Sequence, residues 1–233
     1  MKFADVTVGI FYINLAYRQD RRASLLSQFD QLGLSGARQP GINERWVSDS
    51  RGFFNKRRYA VSLAKRMALR KGYNTGADAV LMLEDDVVFH PKLHECLDSL
   101  EIPDDWKIFL VGGRHIERPD IISPGVVKCN LTTDNQAVLV RRDFCRTAIR
   151  ALSGHAKGAP KTISYSDAKL AALQQQVPVY AAFPNLAWQA RSYSDTGRCH
   201  TGAYTDEGLQ RTNLNAVKGL YEEMGSLSAM ANN

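Results

Sequence analysis

The chain has 233 residues, 44% of them hydrophobic and 23% charged, with a formal net charge of +6. That is the composition of a soluble globular protein and the length of one α/β domain with a sizeable core, expected to span residues 1–233 with 190–233 as a polar tail. No window is apolar for the length of a membrane span, and an N-terminus carrying Asp5 without a small-residue cleavage pattern argues against a signal peptide, so a cytoplasmic location is expected.

Val6 to Leu15 is rich in β-branched and aromatic residues and predicts a first strand, ending in the polar turn Asn14 to Asp20. Asp20 can cap the helix that follows, in which Leu25, Leu26, Phe29 and Leu32 recur at helical spacing until Gly33. Gly36, Pro40 and Gly41 mark a loop, with one short strand expected around Arg45 to Val47. The segment after Gly52 predicts a helix. Tyr59, Leu63 and Met67 with Ala60 and Ala64 should face the core, and Arg58, Ser62, Lys65 and Arg66 the solvent.

Ala79 to Phe89, AVLMLEDDVVF, is an apolar run interrupted by three consecutive carboxylates. Its length fits a strand buried on both faces of a parallel sheet, although periodicity alone also allows a buried helix segment. Glu84, Asp85 and Asp86 then fall at the carboxyl end of the strand, the edge where open α/β sheets bind ligands. Adjacent carboxylates in a crevice repel one another unless a cation joins them, and oxygen ligands suit Mg2+ or Mn2+. A solvated acidic turn is the plainer reading of the triplet taken alone.

Further on, Leu93 to Leu100 predicts a helix and Lys107 to Val111 a strand closed by Gly112-Gly113. Arg114 to Leu131 reads as a long loop or a hairpin turning at Pro124-Gly125. Gln136 to Val140 is a candidate strand, Asp143 to Leu152 a helix, and Gly154 to Lys161 a mobile segment. A helix opening at Ser166 or Asp167 and running to about Gln175 leads to a strand from Val177 to Phe183, ended by Pro184. In the tail, one helix is expected around Leu214 to Met224. Cys96, Cys129, Cys145 and Cys199 lack the paired short spacings of a zinc site or a disulfide framework, which leaves them as reduced thiols.

Charge is unevenly placed. Between Arg51 and Lys71 there are eight lysines and arginines and no acid, more than the whole net charge, whereas Asp78 to Asp105 holds nine acids and only Lys92. Such a pattern suits an anionic ligand approached by cations on one side and bridged by a metal on the other. A solvated helix face is the commoner fate of a basic run.

FYINLAYRQDRRASLLSQFDQLGL, Phe11 to Leu34, resembles the opening of glycosyltransferase family 25, in which a strand ending in Ile-Asn-Leu precedes an Arg-x-x-Arg turn and an amphipathic helix. Gly52, Ala60, Ser62, Gly72, Tyr73 and the Leu83-Glu84-Asp85-Asp86 run are similar to that family's next block, in order. Asp105-Trp106 before Gly112, Gln136 to Val140, and the Asp167 region through Pro184 resemble the later ones, so that the likeness covers about residues 6–195. Two departures stand out: Ser62-Leu63 where the family has Ser-His, and Ala16 where it has an aspartate.

The resemblance implies a GT-A type fold with a mostly parallel central sheet flanked by helices, a nucleotide-sugar donor such as a UDP-sugar, and a divalent metal, Mn2+ or Mg2+, on the acidic motif. Asp86 would hold the ion with Glu84 or Asp85 in support, neutralising charge on the departing diphosphate. Arg18 and Arg21 would contact the diphosphate or orient the uracil end, or lie solvated, and Asn14 would bond base or ribose, or cap a turn. Asp167 matches the family's place for a base that takes the acceptor proton, with Asp134 second, although Asp167 could equally be a helix N-cap. His200 is a candidate late metal ligand, or an exposed, inert histidine.

Three readings follow. One is transfer to a saccharide hydroxyl, such as that of a bacterial surface lipooligosaccharide. Another is transfer to a hydroxylated base in DNA, with Arg57, Arg58, Lys65 and Arg66 tracking phosphates. The third is a binding module for carbohydrate or nucleic acid without catalysis.

Overall fold

The structure, a computed structural model, describes residues 2–3, 5–153, 166–190, 193–195, 199–200, 217, 219–220 and 222–224. The predicted Gly154 to Lys161 segment and the start of the predicted 214–224 helix lie outside these residues.

A nine-stranded mixed sheet carries the fold, in the order β1-β2-β4-β9-β6-β10-β8-β7 with β3 beside β2. The strands are β1 (Lys2–Phe3), β2 (Val6–Asn14), β3 (Ala37–Pro40), β4 (Ala79–Glu84), β6 (Ile108–His115), β7 (Asp120–Ser123), β8 (Val126–Lys128), β9 (Thr132–Arg141) and β10 (Val179–Ala182). Pairing shows that β2, β3, β4, β6, β7 and β10 point one way, and β1, β8 and β9 the other. The expected α/β class with a mostly parallel sheet is thus present, with antiparallel β9 inserted at its centre.

Alternation along β4 settles the choice between strand and helix. Ala79, Leu81 and Leu83 join one core cluster and Val80 and Met82 the other, so the strand is buried on both faces. Leu25 and Phe29 of α1 (Gln19–Gln31) and Leu93 and Leu97 of α3 (Leu93–Asp98) cover the first face. The second is covered by α2 (Lys56–Asn74), α4 (Arg142–Ala151) and α5 (Ser166–Ala171). Val217, Leu220 and Met224 also pack there, so part of the predicted polar tail belongs to the core.

Several predicted boundaries move. The strand expected at Arg45 to Val47 is a 3-10 turn, Glu44–Trp46, and the strand that pairs with β2 lies earlier, at Ala37–Pro40. Asp20 sits inside the first turn of α1 and ion-pairs with Arg18, so it complements the helix dipole without capping it. The run through Phe89 is not one strand. After Glu84 the chain turns at Asp85-Asp86, and β5 (Val87–Phe89) leaves the sheet to pair with β11 (Ala187–Gln189). The hairpin at Pro124-Gly125 is present, as β7 and β8.

The face of α2 is rotated from the expected one. Ala60, Ser62, Ala64, Lys65, Ala68 and Leu69 are buried and Met67 is exposed, because close contact with β2 and β4 selects small residues, and Lys65 finds carboxylates inside. Asn55 starts this helix by accepting a hydrogen bond from the Arg58 amide on its side-chain oxygen, at 3.0 Å.

Gly112 and Gly113 do not end β6, which runs on to His115. Gly112 lets β11 cross, whereas Gly113 makes room for Thr132 of β9. A Cβ on Gly112 would stand 1.8 Å from the Ala187 carbonyl oxygen, a backbone atom that cannot swing aside. Gly112→Ala should therefore lower stability by about 3 kcal/mol in urea unfolding, the upper range of overpacking. Gly76→Ala, with open space but a φ of +83°, should lose only about 1–2 kcal/mol. Equal losses would show that the crossing imposes no constraint.

Candidate active site

The carboxyl ends of β2, β3 and β4 converge on one pocket of about 210 Å³. Arg21, Arg58, Lys65, Glu84, Asp85, Asp86, Asp167, Gln189 and Asp195 supply its polar wall, and Ile13, Leu15, Ile42, Val61 and Ala64 its apolar one.

On the pocket floor Lys65 is only 1% exposed, and its Nζ lies 2.7 Å from Glu84 Oε1 and 2.7 Å from Asp167 Oδ1. Burial alone would discharge this lysine, but the two carboxylates outweigh it and hold the ammonium more firmly charged than usual. The two acids diverge. Burial drives Glu84 up to about 7 against the pull of Lys65. At Asp167 burial also acts upward, yet Lys65 with the Ser166 hydroxyl and the Asn135 amide prevails and holds it below its ordinary value. Both side chains still reach the pocket, with relative exposures of 30% and 28%.

Beside this trio, the acidic turn is tied down from α1 and β2. Arg21 Nη1 is 3.0 Å from Asp85 Oδ1 and 2.9 Å from Asp86 Oδ2. Buried Asn14 donates from Nδ2 to Asp85 Oδ2 at 2.7 Å and is itself oriented by Arg38, whose Nε donates to Asn14 Oδ1 at 3.0 Å. Burial raises the pKa of Asp85, opposed by Arg21 and Asn14. Gln189 Nε2 donates to Asp86 Oδ2 at 2.9 Å, and the Ala190 amide to the Asp86 carbonyl at 2.6 Å. β11 thereby fixes the turn from the far side.

The structure thus brings Asn14, Arg21, Glu84, Asp85, Asp86 and Asp167 together. Arg18 stands at the rim, paired with Asp20 at 2.8 Å and with Asp195 at 2.5 Å. Asp134 is half-buried at φ +57° in β9 and is not among the residues lining the pocket. His200 lies in β13 (Cys199–His200), whose partner β12 (Tyr193–Ser194) places Tyr193 opposite it. Its side chain is outside the described residues.

Sequence reasoning missed Arg38, Gln189 and Asp195 as site residues, and it placed Lys65 on a solvent face tracking phosphates, whereas the structure buries it in the pocket. Lys65 had a signal, since it interrupts the small-residue stripe Val61, Ala64, Ala68 at helical spacing just ahead of a strand ending in acids. Gln189 and Asp195 had none, because only the crossing of β11 brings them here.

Among the described residues no group of three His, Cys, Asp or Glu is arranged to hold a metal. Glu84 is engaged with Lys65, and Asp85 with Arg21 and Asn14. Asp86 differs, because its Oδ1 is buried and has no hydrogen-bond partner. Among the described residues, the four carboxylates Glu84, Asp85, Asp86 and Asp167 have Lys65 and Arg21 as their direct ion-pair partners. The excess negative charge and the unpaired, buried oxygen of Asp86 are the features of the pocket that a divalent ion on Asp86 would satisfy.

A second hollow of about 440 Å³ adjoins the first across Leu15, Ile42, Val61 and Asp195 and includes Tyr17, Asn43, Glu44, Arg57 and Tyr193. Tyr17 donates to Asp195 Oδ1 at 3.1 Å, and Arg57 pairs with Glu44 at 3.0 Å.

No protein-family model matches the chain, and no curated protein matches it. Among solved structures it is similar to A197 from STIV, with a TM-score of 0.48 and 12% identity over 85% of this chain and 96% of that one. A glycosyltransferase involved in the glycosylation of the major capsid of PBCV-1 gives 0.49 and 13% over 76% and 83%. Mannose-1-phosphate geranyltransferase from Thermus thermophilus gives 0.43 and 9% over 76% and 73%. All three scores lie below 0.5, so the functional reading rests on the residues of the pocket.

Lys65→Met should destabilise the fold by about 3 kcal/mol, since it leaves two carboxylates at the pocket floor without their cation. Adding Glu84→Gln and Asp167→Asn should recover most of that loss in urea unfolding. A single variant as stable as the parent would show that the trio does not hold the pocket together.

Proposed function

We propose that the chain is a metal-dependent glycosyltransferase that moves a sugar from a nucleotide-sugar donor, a UDP-sugar, to an acceptor hydroxyl. The supporting observation is the pairing of two chemically different carboxylate sets in one pocket: a turn with an unpaired oxygen on Asp86, and Glu84 and Asp167 sharing Lys65. Donor transfer needs one group to steady the departing diphosphate and another to receive a proton.

The Mn2+ or Mg2+ expected from the acidic motif would sit on Asp86 and supply Lewis-acid neutralisation of the leaving diphosphate. Arg21 keeps Asp85 and Asp86 at the pocket edge and presents its guanidinium toward the same diphosphate. Asp167, charged and reaching the pocket, takes the proton of the acceptor hydroxyl as that oxygen bonds to the anomeric carbon. The bond from that carbon to the diphosphate breaks, and its electron pair leaves with the nucleotide. Lys65 holds the carboxylate in place and compensates its charge beforehand.

A saccharide hydroxyl is the first acceptor class. The reading with DNA as acceptor loses part of its footing, because Lys65 is buried against Glu84 and Asp167, and Arg57 is paired with Glu44. A binding module without catalysis would leave the divergence of Glu84 and Asp167 without use.

Asp86→Asn should abolish Mn2+-dependent hydrolysis across a panel of sugar nucleotides while the fold persists. Thermal melts with Mn2+ and UDP should raise the Tm of the parent and not that of the variant. Equal shifts would remove the metal from Asp86. Asp167→Asn should slow transfer at least about 100-fold with donor affinity kept, whereas loss through Glu84→Gln alone would move the base to Glu84.

A further inference from the structure

We infer that the outer face of the α2–α4 pair is a docking surface for the phosphate backbone of duplex nucleic acid, separate from the pocket. The two helices run antiparallel side by side. Ser62 Oγ donates to the Leu152 carbonyl at 2.8 Å near one end, and the guanidinium of Arg142 lies 4.7 Å from the Tyr73 ring centre at the other. This register sets Arg66 abreast of Arg150, Arg70 abreast of Arg146, and Tyr73 abreast of Arg142. The α4 row repeats every four residues and the α2 row after four and then three, rises of about 6 and 4.5 Å, and helices in contact lie about 8–10 Å apart.

None of these five arginines makes an ion pair among the described residues, unlike Arg18, Arg21, Arg57 and Lys65. Arg70, Arg142, Arg146 and Arg150 are exposed. The guanidinium groups of Arg142 and Arg146 both stack on Tyr73, 4.7 and 5.2 Å from its centre, so two like charges are held at a single ring. The Nε of Arg66 is buried without a hydrogen-bond partner. Asp143, the acid of α4, pairs with Lys107 at 2.7 Å, and with Asp78 it borders the same hollow as Arg142 and Arg146, leaving Arg66, Arg70 and Arg150 away from both acids.

Guanidinium groups in two regular rows complement the two phosphate strands of a duplex, and the sequence pI of about 9.2 agrees with a polyanionic partner. An anionic membrane would also attract the charge, but interfacial binding draws on apolar anchors between the cations. Of the exposed large hydrophobic side chains among the described residues, α2 contributes one, Met67, and α4 none, too few to anchor a membrane surface. The face therefore favours nucleic acid.

The test is fluorescence anisotropy of a labelled 20-base-pair DNA duplex with the full chain, without nucleotide sugar, so that its outcome is independent of the pocket reading. Five phosphate contacts predict a slope of log K against log salt of about −4.5, or a loss of roughly 500-fold between 50 and 200 mM salt. Replacing Arg146 and Arg150 by Gln should cut that loss to about 40-fold. Arg22→Gln with Lys128→Gln, two exposed cations elsewhere, removes the same charge and should leave the slope near −4.5. An unchanged slope in the Arg146/Arg150 variant, no duplex binding at 50 mM salt, or binding to phosphatidylserine vesicles in place of the duplex would each overturn the proposal.

Discussion

The burial of one lysine organises this molecule. Lys65 can be interior only because Glu84 ends β4 and Asp167 begins α5 within 2.7 Å of its Nζ. Withdrawing three charges from water costs several kcal/mol per ion unless the geometry is good, so helix, strand and second helix are held in one relative position. That requirement decides the facing of α2. It also puts the carboxyl ends of β2 and β4 around a common hollow, where the acidic turn meets Arg21 and Asn14.

The same balance explains the chemistry assigned to the pocket. One lysine shared by two acids cannot satisfy both equally, and burial leaves Glu84 near neutrality in its titration while Asp167 stays charged. The adjacent turn has the opposite arrangement, with Arg21 spread over Asp85 and Asp86 and one oxygen of Asp86 unpaired. A pocket with a carboxylate held charged by Lys65 on one side and an unpaired Asp86 oxygen on the other suits the proposed transfer, which releases a proton and an anionic leaving group.

Much of the architecture was legible from the residues. The length of the apolar run before Glu84 pointed to a strand buried on both faces, as its membership in both halves of the core bears out, and the triplet fell at the carboxyl end of that strand as expected. The errors share a cause. The face of α2 departs from the one that periodicity predicts because Lys65 and Ser62, residue types that usually face solvent, find interior partners on Glu84, Asp167 and the Leu152 carbonyl. β6 was cut short at Gly112 because a glycine pair reads as a break when nothing local reveals that β11 will pass above it. Gln189 and Asp195 reach the site only through that crossing. Local pattern carries no record of such long-range contacts.

The central claim is that the Lys65-bridged carboxylates and the Asp86 turn form one sugar-nucleotide site. A crystal structure of the chain soaked with Mn2+ and UDP, with anomalous data at the manganese edge, tests it most directly. The account predicts an anomalous peak within coordinating distance of an Asp86 oxygen, bridged to diphosphate oxygens that lie beside Arg21. A nucleotide bound elsewhere, or a diphosphate in the pocket with no manganese on Asp86, would contradict it.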